Sequence, residues 1–313
     1  IVMIKKVFIG AAFLLLSASI TQPVSAQSII PQPESITRQQ GTFTLAKGLQ
    51  GVTNLKGEDF KILNQYTSDV MSIPFSSVKN PAADAPLRLI CTGTAQEAAM
   101  AADSVSLQGY ELNVTPTAVT IQARTPMGLF YGLQTLRQLE QDRQIPCVKI
   151  TDTPRFAYRG LMIDCSRHFW WKDEIKKQLD AMAYFKLDRF HWHLTDGGGW
   201  RMEVKQYPRL TEETAYRTES DWTKWWNRKN RQYSPDPDRL VCWKGMNIHG
   251  GYYTQDDIKE IVDYAAARHI TIIPEIEMPG HSDEVVYAYP ELSCTGKPYT
   301  QSDLCVGKEQ TYT

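Results

Sequence analysis

The 313-residue sequence has no CxxC pair, no GxGxxG fingerprint and no phosphate-loop Lys-Ser/Thr ending, and its basic and acidic residues nearly cancel, 34 against 35. Each absence closes a class of function. Without CxxC, zinc-finger and thioredoxin-type readings have no ligand or redox pair to rest on. Without the glycine fingerprints there is no nucleotide cradle to point to. A net charge of -1 leaves no electrostatic footprint for nucleic acid or an anionic membrane surface. Long apolar runs are scarce too: beyond the stretch VFIGAAFLLLSASI, about 14 residues, nothing approaches the roughly 20 that a bilayer span needs. Core material and aromatic rings are plentiful, with 42% hydrophobic residues, 8 tryptophans and 15 tyrosines, enough for a packed interior in two domains. A small, neutral ligand suits such a chain.

The opening residues read as a targeting segment. Lys5 and Lys6 precede the apolar stretch, and Val24-Ser25-Ala26 offers the small residues a signal peptidase needs, so residues 1–26 are expected to be a signal peptide. That implies export to the periplasm, the cell surface or the medium; a retained anchor is the alternative. Six cysteines in an exported chain could form bridges. Cys294 and Cys305, bracketing a loop with Gly296 and Pro298, are the expected pair, while Cys165 sits in an apolar run and is expected to behave as a small hydrophobe.

Between Gly109 and Glu140 two segments alternate apolar and polar residues around a turn, and PMGLFYGLQTLRQLE then carries Leu129, Leu133, Leu136 and Leu139 at helical spacing behind a proline. A hairpin followed by a helix is expected, within a small α/β domain over residues 27–153 that closes at TDTPRF. From 154 to 313 the pattern becomes strand, helix, strand, helix, strand: GLMIDC, the Ile175-Leu179-Met182-Phe185 face, RFHWHLTD, a helix opening at Thr254 with Asp257 as a capping box, and ITIIPEIEMPG. Repeated βα units imply a parallel sheet, and a (β/α)8 TIM barrel is the favoured closure. Only about three such units are present, so the expectation is a truncated barrel whose last strand has an open edge, or else a small open sheet. Pro274 in that strand argues against a central position.

In parallel α/β sheets the working groups gather at the carboxyl ends of strands. The first end offers Asp164, Arg167 and His168, the second Asp196 and three glycines, the third Glu275, Glu277 and His281. Alternation places Phe190, Trp192 and Leu194 under the outer helices and His191, His193 and Thr195 inward, and puts Glu275 and Glu277 on one face. His191 and His193, with Asp196 or Glu277 as oxygen ligands, could form the metal site of an amidohydrolase. They could equally be core imidazoles bonded to neighbouring carboxylates. The paired carboxylates suit acid and base work on a glycosidic bond, and Trp200, Trp222, Trp225 and Trp226 suit the face of a sugar ring. For residues 221–226 packing is the expected role. Gly197 to Gly199 are read as letting the backbone turn sharply beside a ligand.

Taken together, RGLMIDCSRHF, FHWHLTDGGGWRMEVKQYPRLTE and GGYYTQDDIKEIVDYAAARHITIIPEIEMPGHS resemble glycoside hydrolase family 20, the β-N-acetylhexosaminidases, from about Pro31 onward. The resemblance implies exo-acting removal of terminal β-linked N-acetylglucosamine or N-acetylgalactosamine with retention, the substrate's own acetamido carbonyl being the nucleophile. It implies no cofactor and no metal, and a glycan as partner. Carried over by motif, Arg167 binds hydroxyls on the far side of the sugar, Asp196 and His281 form the relay that orients the catalytic acid, and Glu277 lies beside them on the substrate-binding side. The family often has aspartate at that last position, and often a second acid and a glutamine where Gly197 and Gly198 stand. The HxGGDE motif that supplies the family's orienting aspartate and general acid does not occur in the 313 residues, so the chain by itself is expected to hydrolyse nothing. The rival expectations are the amidohydrolase built on His191 and His193, and a non-catalytic sugar-binding module using Arg167 and the tryptophans.

Overall fold

The computed structural model describes residues 29–219, 221–227, 233, 249–298 and 302–312. The expected signal peptide and Cys242 lie outside the described residues. Seven strands, Ser35–Thr44 (β1), Gly51–Thr53 (β2), Phe75–Ser77 (β3), Leu87–Cys91 (β4), Tyr110–Val114 (β5), Val119–Ala123 (β6) and Gln144–Asp152 (β7), form one mixed sheet in the order β1-β7-β5-β6-β4-β2-β3. Helices Gly57–Met71 (α1), Ala95–Met100 (α2) and Pro126–Leu139 (α3) accompany it. The expected hairpin is β5 and β6, antiparallel with Leu112 opposite Ile121. Their alternation places Leu112, Val114, Val119 and Ile121 on a face with no solvent exposure.

Helix α3 covers that face. Its start is fixed by Thr125, whose hydroxyl accepts from Gly128 N at 3.2 Å, and by Pro126 in the first turn. A side chain at Gly132 would come within 2.4 Å of the Ile121 methyl, so the helix can lie flat on the strand only with glycine there. Leu129, Leu133 and Leu136 are fully buried beneath it. Each contributes about 1.5–3 kcal/mol by leaving water.

The second half begins with Gly160–Asp164 (β8), Lys172–Tyr184 (α4) and Arg189–Asp196 (β9), and continues through the short elements Gly199–Trp200 (β10), Arg209–Thr214 (α5), Tyr216–Arg217 (β11), Trp222–Trp226 (α6) and His249–Gly250 (β12). It ends with Gln255–Ala266 (α7), Thr271–Ile276 (β13) and Asp283–Ala288 (α8). Strands β8 and β13 run parallel to β9 on either side of it, in register at Gly160, Arg189 and Thr271. The Thr254–Asp257 capping box forms as expected. Phe190, Trp192 and Leu194 are at most 1% exposed beneath the helices. Among the described residues, β8 and β13 each have a strand neighbour on one side only, so both edges are open rather than the last alone. Pro274 accordingly sits in an outer strand, and Leu161 and Met162 of β8 are exposed.

A polar seam joins the small domain to the starts of these strands. Arg159 donates to Gln108 Oε1 (2.9 Å) and Tyr131 Oη (2.8 Å) and pairs with Asp188. Lys186 donates to Tyr110 Oη (3.0 Å) and pairs with Asp152; burial pulls its pKa down against that partner. Gln138 donates to Tyr184 O at 2.7 Å. Cys294 and Cys305 are bridged, with 4.8 Å between their Cα atoms, and Cys91, Cys147 and Cys165 are free.

Candidate active site

The three parallel strands deliver their carboxyl-end residues to one place. Asp196, the last residue of β9, has a side chain only 4% exposed, and its Oδ2 meets three donors: Arg167 Nη2 at 2.5 Å, His193 Nε2 at 3.2 Å and His281 Nδ1 at 3.2 Å. Its Oδ1 accepts from Gly197 N at 2.6 Å. Arg167 follows β8 and is held from below by Asp164, which takes both its backbone N–H and Nη1, at 2.9 and 2.8 Å. Burial weakens the Arg167 charge, but the carboxylates of Asp164 and Asp196 outweigh it and raise the guanidinium's pKa. Charge on both sides fixes the fork while about a third of it stays open to solvent.

His281 reaches this point from beyond β13 in a strained left-handed conformation, φ 52°. Ser282 secures the turn: its N–H donates to Ser302 O at 2.7 Å and its hydroxyl to Gly280 O at 3.0 Å. The imidazole is 61% exposed, so one nitrogen faces Asp196 and the other side of the ring faces outward. A bulge between Glu275 and Ile276 breaks the β13 register, and beyond it Glu277 N donates to Thr195 Oγ1 at 2.9 Å. Such bulges re-aim side chains at sheet ends, and the Glu277 carboxylate comes within 4.8 Å of His193 and Asp196.

Both strand histidines engage carboxylates. Glu275 Oε2 lies 2.5 Å from His191 Nε2 and 2.8 Å from His193 Nδ1, both contacts being ion pairs bent away from hydrogen-bond geometry. Burial alone would lower the His193 pKa, but Asp196 and Glu275 on its two nitrogens push it up to about 9. The Glu275 carboxyl is held low by the same partner, against its own burial. His193, Asp196 and Glu277 are the described residues grouped closely enough to hold a cation. That group leaves out His191, so the two-histidine site of the amidohydrolase reading does not assemble among the described residues. His191 and His193 both turn to the same carboxylate oxygen, Glu275 Oε2. The core-imidazole reading therefore fits, and the metal-site reading does not.

The three glycines let the backbone turn sharply, as the sequence leads one to expect, and the space their side chains would need is taken by protein atoms. They form the tight β9–β10 turn, with Gly199 opposite Asp196. A side chain at Gly198 would come within 2.9 Å of Arg167 Cα, and one at Gly199, φ 146°, within 2.7 Å of the Arg201 guanidinium. Arg201 is the residue that sequence reasoning missed. It is fully buried and donates to the carbonyls of Cys165, Ser166, Gly198, Ala215 and Gly251, tying four chain segments together behind the site. Burial lowers its pKa to about 10. The available signal was a guanidinium two residues after a glycine run that leaves it the space. Glu284, also wholly buried and missed, has its carboxyl pKa pushed up, by burial first and then by the nearby charges of Asp196 and Asp283.

The tryptophans divide. Trp225 is fully buried and packs, as expected for residues 221–226. Trp222 stacks on both Trp225 and Trp226 and stands 5.8 Å from the Arg167 guanidinium and 5.5 Å from that of Arg217, so part of this cluster borders the site. A cleft of about 800 Å³ lined by Asp152, Arg159 and Lys186 lies at the opposite end of the strands and includes none of the residues around Asp196.

Comparison with known proteins gives this geometry a lineage. The profile of glycosyl hydrolase family 20, catalytic domain, matches residues 156–313, and that of glycosyl hydrolase family 20, domain 2, matches residues 26–153. The chain belongs to glycosyl hydrolase family 20. The catalytic domain of family 20 has a TIM-barrel fold, and β8, β9 and β13 with α4 and α7 are the barrel units present here. Over 224 residues the chain is 41% identical to the β-hexosaminidase of Porphyromonas gingivalis, an alignment covering 66% of this chain and 26% of that protein. It is 34% identical over 268 residues to the β-hexosaminidase of Vibrio furnissii, covering 84% of this chain and 39% of the relative. Among solved structures, the Streptomyces plicatus N-acetyl-β-hexosaminidase in complex with Thio-NAglucal superposes with a TM-score of 0.71 at 30% identity, over 93% of this chain and 56% of that one. The β-N-acetylhexosaminidase from Bacteroides fragilis does so with a TM-score of 0.70 at 29% identity, over 91% and 52%. The chain thus spans about a quarter to two fifths of the length of these two curated relatives.

Proposed function

We propose that this chain forms the sugar-gripping wall of an exo-acting β-N-acetylhexosaminidase that releases terminal β-linked N-acetylglucosamine or N-acetylgalactosamine from glycans with retention, assisted by the substrate's acetamido group. One observation carries the reading: Arg167 and His281, from different strand ends, meet on the same oxygen of Asp196. Arg167, gripped from behind by two carboxylates, offers its remaining N–H donors to ring hydroxyls. Asp196 holds a proton on His281 Nδ1, which leaves the exposed side of that ring to exchange a proton with an acid beyond it. Glu277 adds an acceptor at the same rim. Relatives named β-hexosaminidase and N,N'-diacetylchitobiase, and a solved relative in complex with N-acetylglucosamine, support the substrate class. The 313 residues hold no Gly-Gly-Asp-Glu sequence, so in our reading the chain alone binds the sugar without cleaving it. Export is part of the same proposal, supported by Lys5, Lys6 and the apolar stretch after them.

Calorimetric titration with N-acetylglucosamine, alongside a p-nitrophenyl N-acetylglucosaminide assay, tests this. Binding without turnover is expected, with Arg167→Ala weakening binding by about 10- to 100-fold, the value of a charged hydrogen-bond donor. Turnover by the chain, or binding that ignores Arg167→Ala, overturns the assignment.

A further inference from the structure

The contacts around Asp196 do not end at the residues that would touch sugar. Behind Asp196 stands His193, behind His193 stands Glu275, and Glu275 also receives His191, so an unbroken line of alternating carboxylates and imidazoles runs from His191 to His281. His193 is 4% exposed at its side chain and has a carboxylate on each ring nitrogen. Glu275 opposes it in register across the β9–β13 pair, one residue before the bulge. The link therefore ties two strand ends at the position where their ladder breaks. Charged groups face His193 from every packed element: Asp164 from β8, Asp196 and His191 from β9, Glu275 from β13, Glu277 and Arg167 from the loops beyond.

We propose that His193 and Glu275 are positioning residues: a buried carboxylate–imidazole–carboxylate strut that aims Asp196 Oδ2 at His281 and thereby selects the His281 tautomer presented to the outside. Of the three donors on that oxygen, Arg167 is partly exposed and His281 is the group being aimed, so His193 is the buried anchor. Asp196 Oδ1 is committed to Gly197 N and prevents the carboxylate from swinging over to replace a lost contact. Glu275 in turn keeps both His193 nitrogens protonated, so that Nε2 always donates to Asp196 and never presents a lone pair to it. The inference rests on reading Asp196 and His281 as the proton-handling pair of the proposed function.

Imidazole nitrogen NMR of the purified protein, combined with N-acetylglucosamine titration, tests the strut. Wild-type protein at neutral pH is expected to show His281 in one tautomer, protonated at Nδ1. His193→Phe keeps a ring in place but removes both polar contacts; His281 is then expected to populate both tautomers and N-acetylglucosamine to bind about tenfold more weakly. Glu275→Gln acts in the same direction to a smaller degree, and the double variant is no worse than His193→Phe alone, because both changes break one link. An unchanged His281 tautomer with affinity within twofold of wild type in both variants, or additive losses, overturns the proposal. If His193→Phe does not fold, Glu275→Gln decides by the same two readouts. If wild-type protein binds no N-acetylglucosamine while His281 still responds to the variants, the strut stands and the sugar reading falls.

Discussion

Replacing Asp196 with asparagine changes the site by a single proton-bearing nitrogen, and its cost can be worked from the contacts. The amide has nearly the shape of the carboxylate, so packing is kept and Gly197 N can still donate to its oxygen. The other position becomes an NH2 facing three donors: Arg167 at 2.5 Å, His193 and His281 at 3.2 Å. A unit charge pair about 4 Å apart is worth about 4 kcal/mol at an effective dielectric of 20. Desolvation of Asp196 offsets part of this, and Arg167 retains Asp164 and some solvent, which moves its share toward the low end. The net loss is about 3 kcal/mol, dominated by the buried His193 contact. At roughly 2–4 °C per kcal/mol for a domain of this size, the barrel half should melt about 6–12 °C lower. Scanning calorimetry of the variant beside wild-type protein reads this. His193, with one partner fewer, should also titrate below about 9. A transition within 1 kcal/mol of wild type, with the His193 titration in place, would show that Asp196 is not the hub described here.

Two further outcomes follow from the buried charges. His193 has its folded pKa raised to about 9, so its stabilisation is complete below the unfolded value of about 6.5 and fades as pH rises through 9, by about 3 kcal/mol at most; His249, lowered to about 3 by burial and nearby cations, works the opposite way and removes stability as pH falls below about 6.5. Denaturant midpoints measured from pH 4 to 10 should therefore peak near pH 6.5 and fall from there to about 9, and a midpoint still rising at pH 10 would contradict the His193 assignment. Arg201→Met leaves four buried carbonyls without a donor, Ala215 O alone keeping Gly251 N, and should cost about 4 kcal/mol, whereas an exposed arginine would cost under 0.5; urea unfolding distinguishes the two, and near-wild-type stability refutes the role given to Arg201.

Periodicity carried most of the fold because one face of each element is in water and the other is not. The β5–β6 hairpin, α3, α4 and α7 all stand where alternation or helical spacing puts them. The strand-end rule likewise brought Arg167, Asp196, Glu277 and His281 to the same rim before any distance was known. Three features escaped because nothing local encodes them. The Gly197–Gly199 turn looks identical in sequence whether a ligand or Arg201 fills the space above it. The ion pairs of His191 and His193 with Glu275 depend on which residues of β9 and β13 stand side by side, a register that single-strand patterns leave free. Trp222 beside Arg167 depends on a long excursion between β9 and α7, which has no period to read.

The polar seam beneath the strands also bears on how the chain is made. The seven-stranded sheet and α3 precede β8 in the chain, and N-terminal domains generally fold first during synthesis. Arg159 and Lys186, the residues just before β8 and β9, dock onto Tyr131 and Tyr110 of that earlier layer. The apolar core then runs without a break from Leu112 and Leu129 to Phe190 and Trp192. A domain that contributes nothing to the rim around Asp196 can thus act as a jig for it, giving each nascent strand a fixed starting point before its neighbours have emerged from the ribosome.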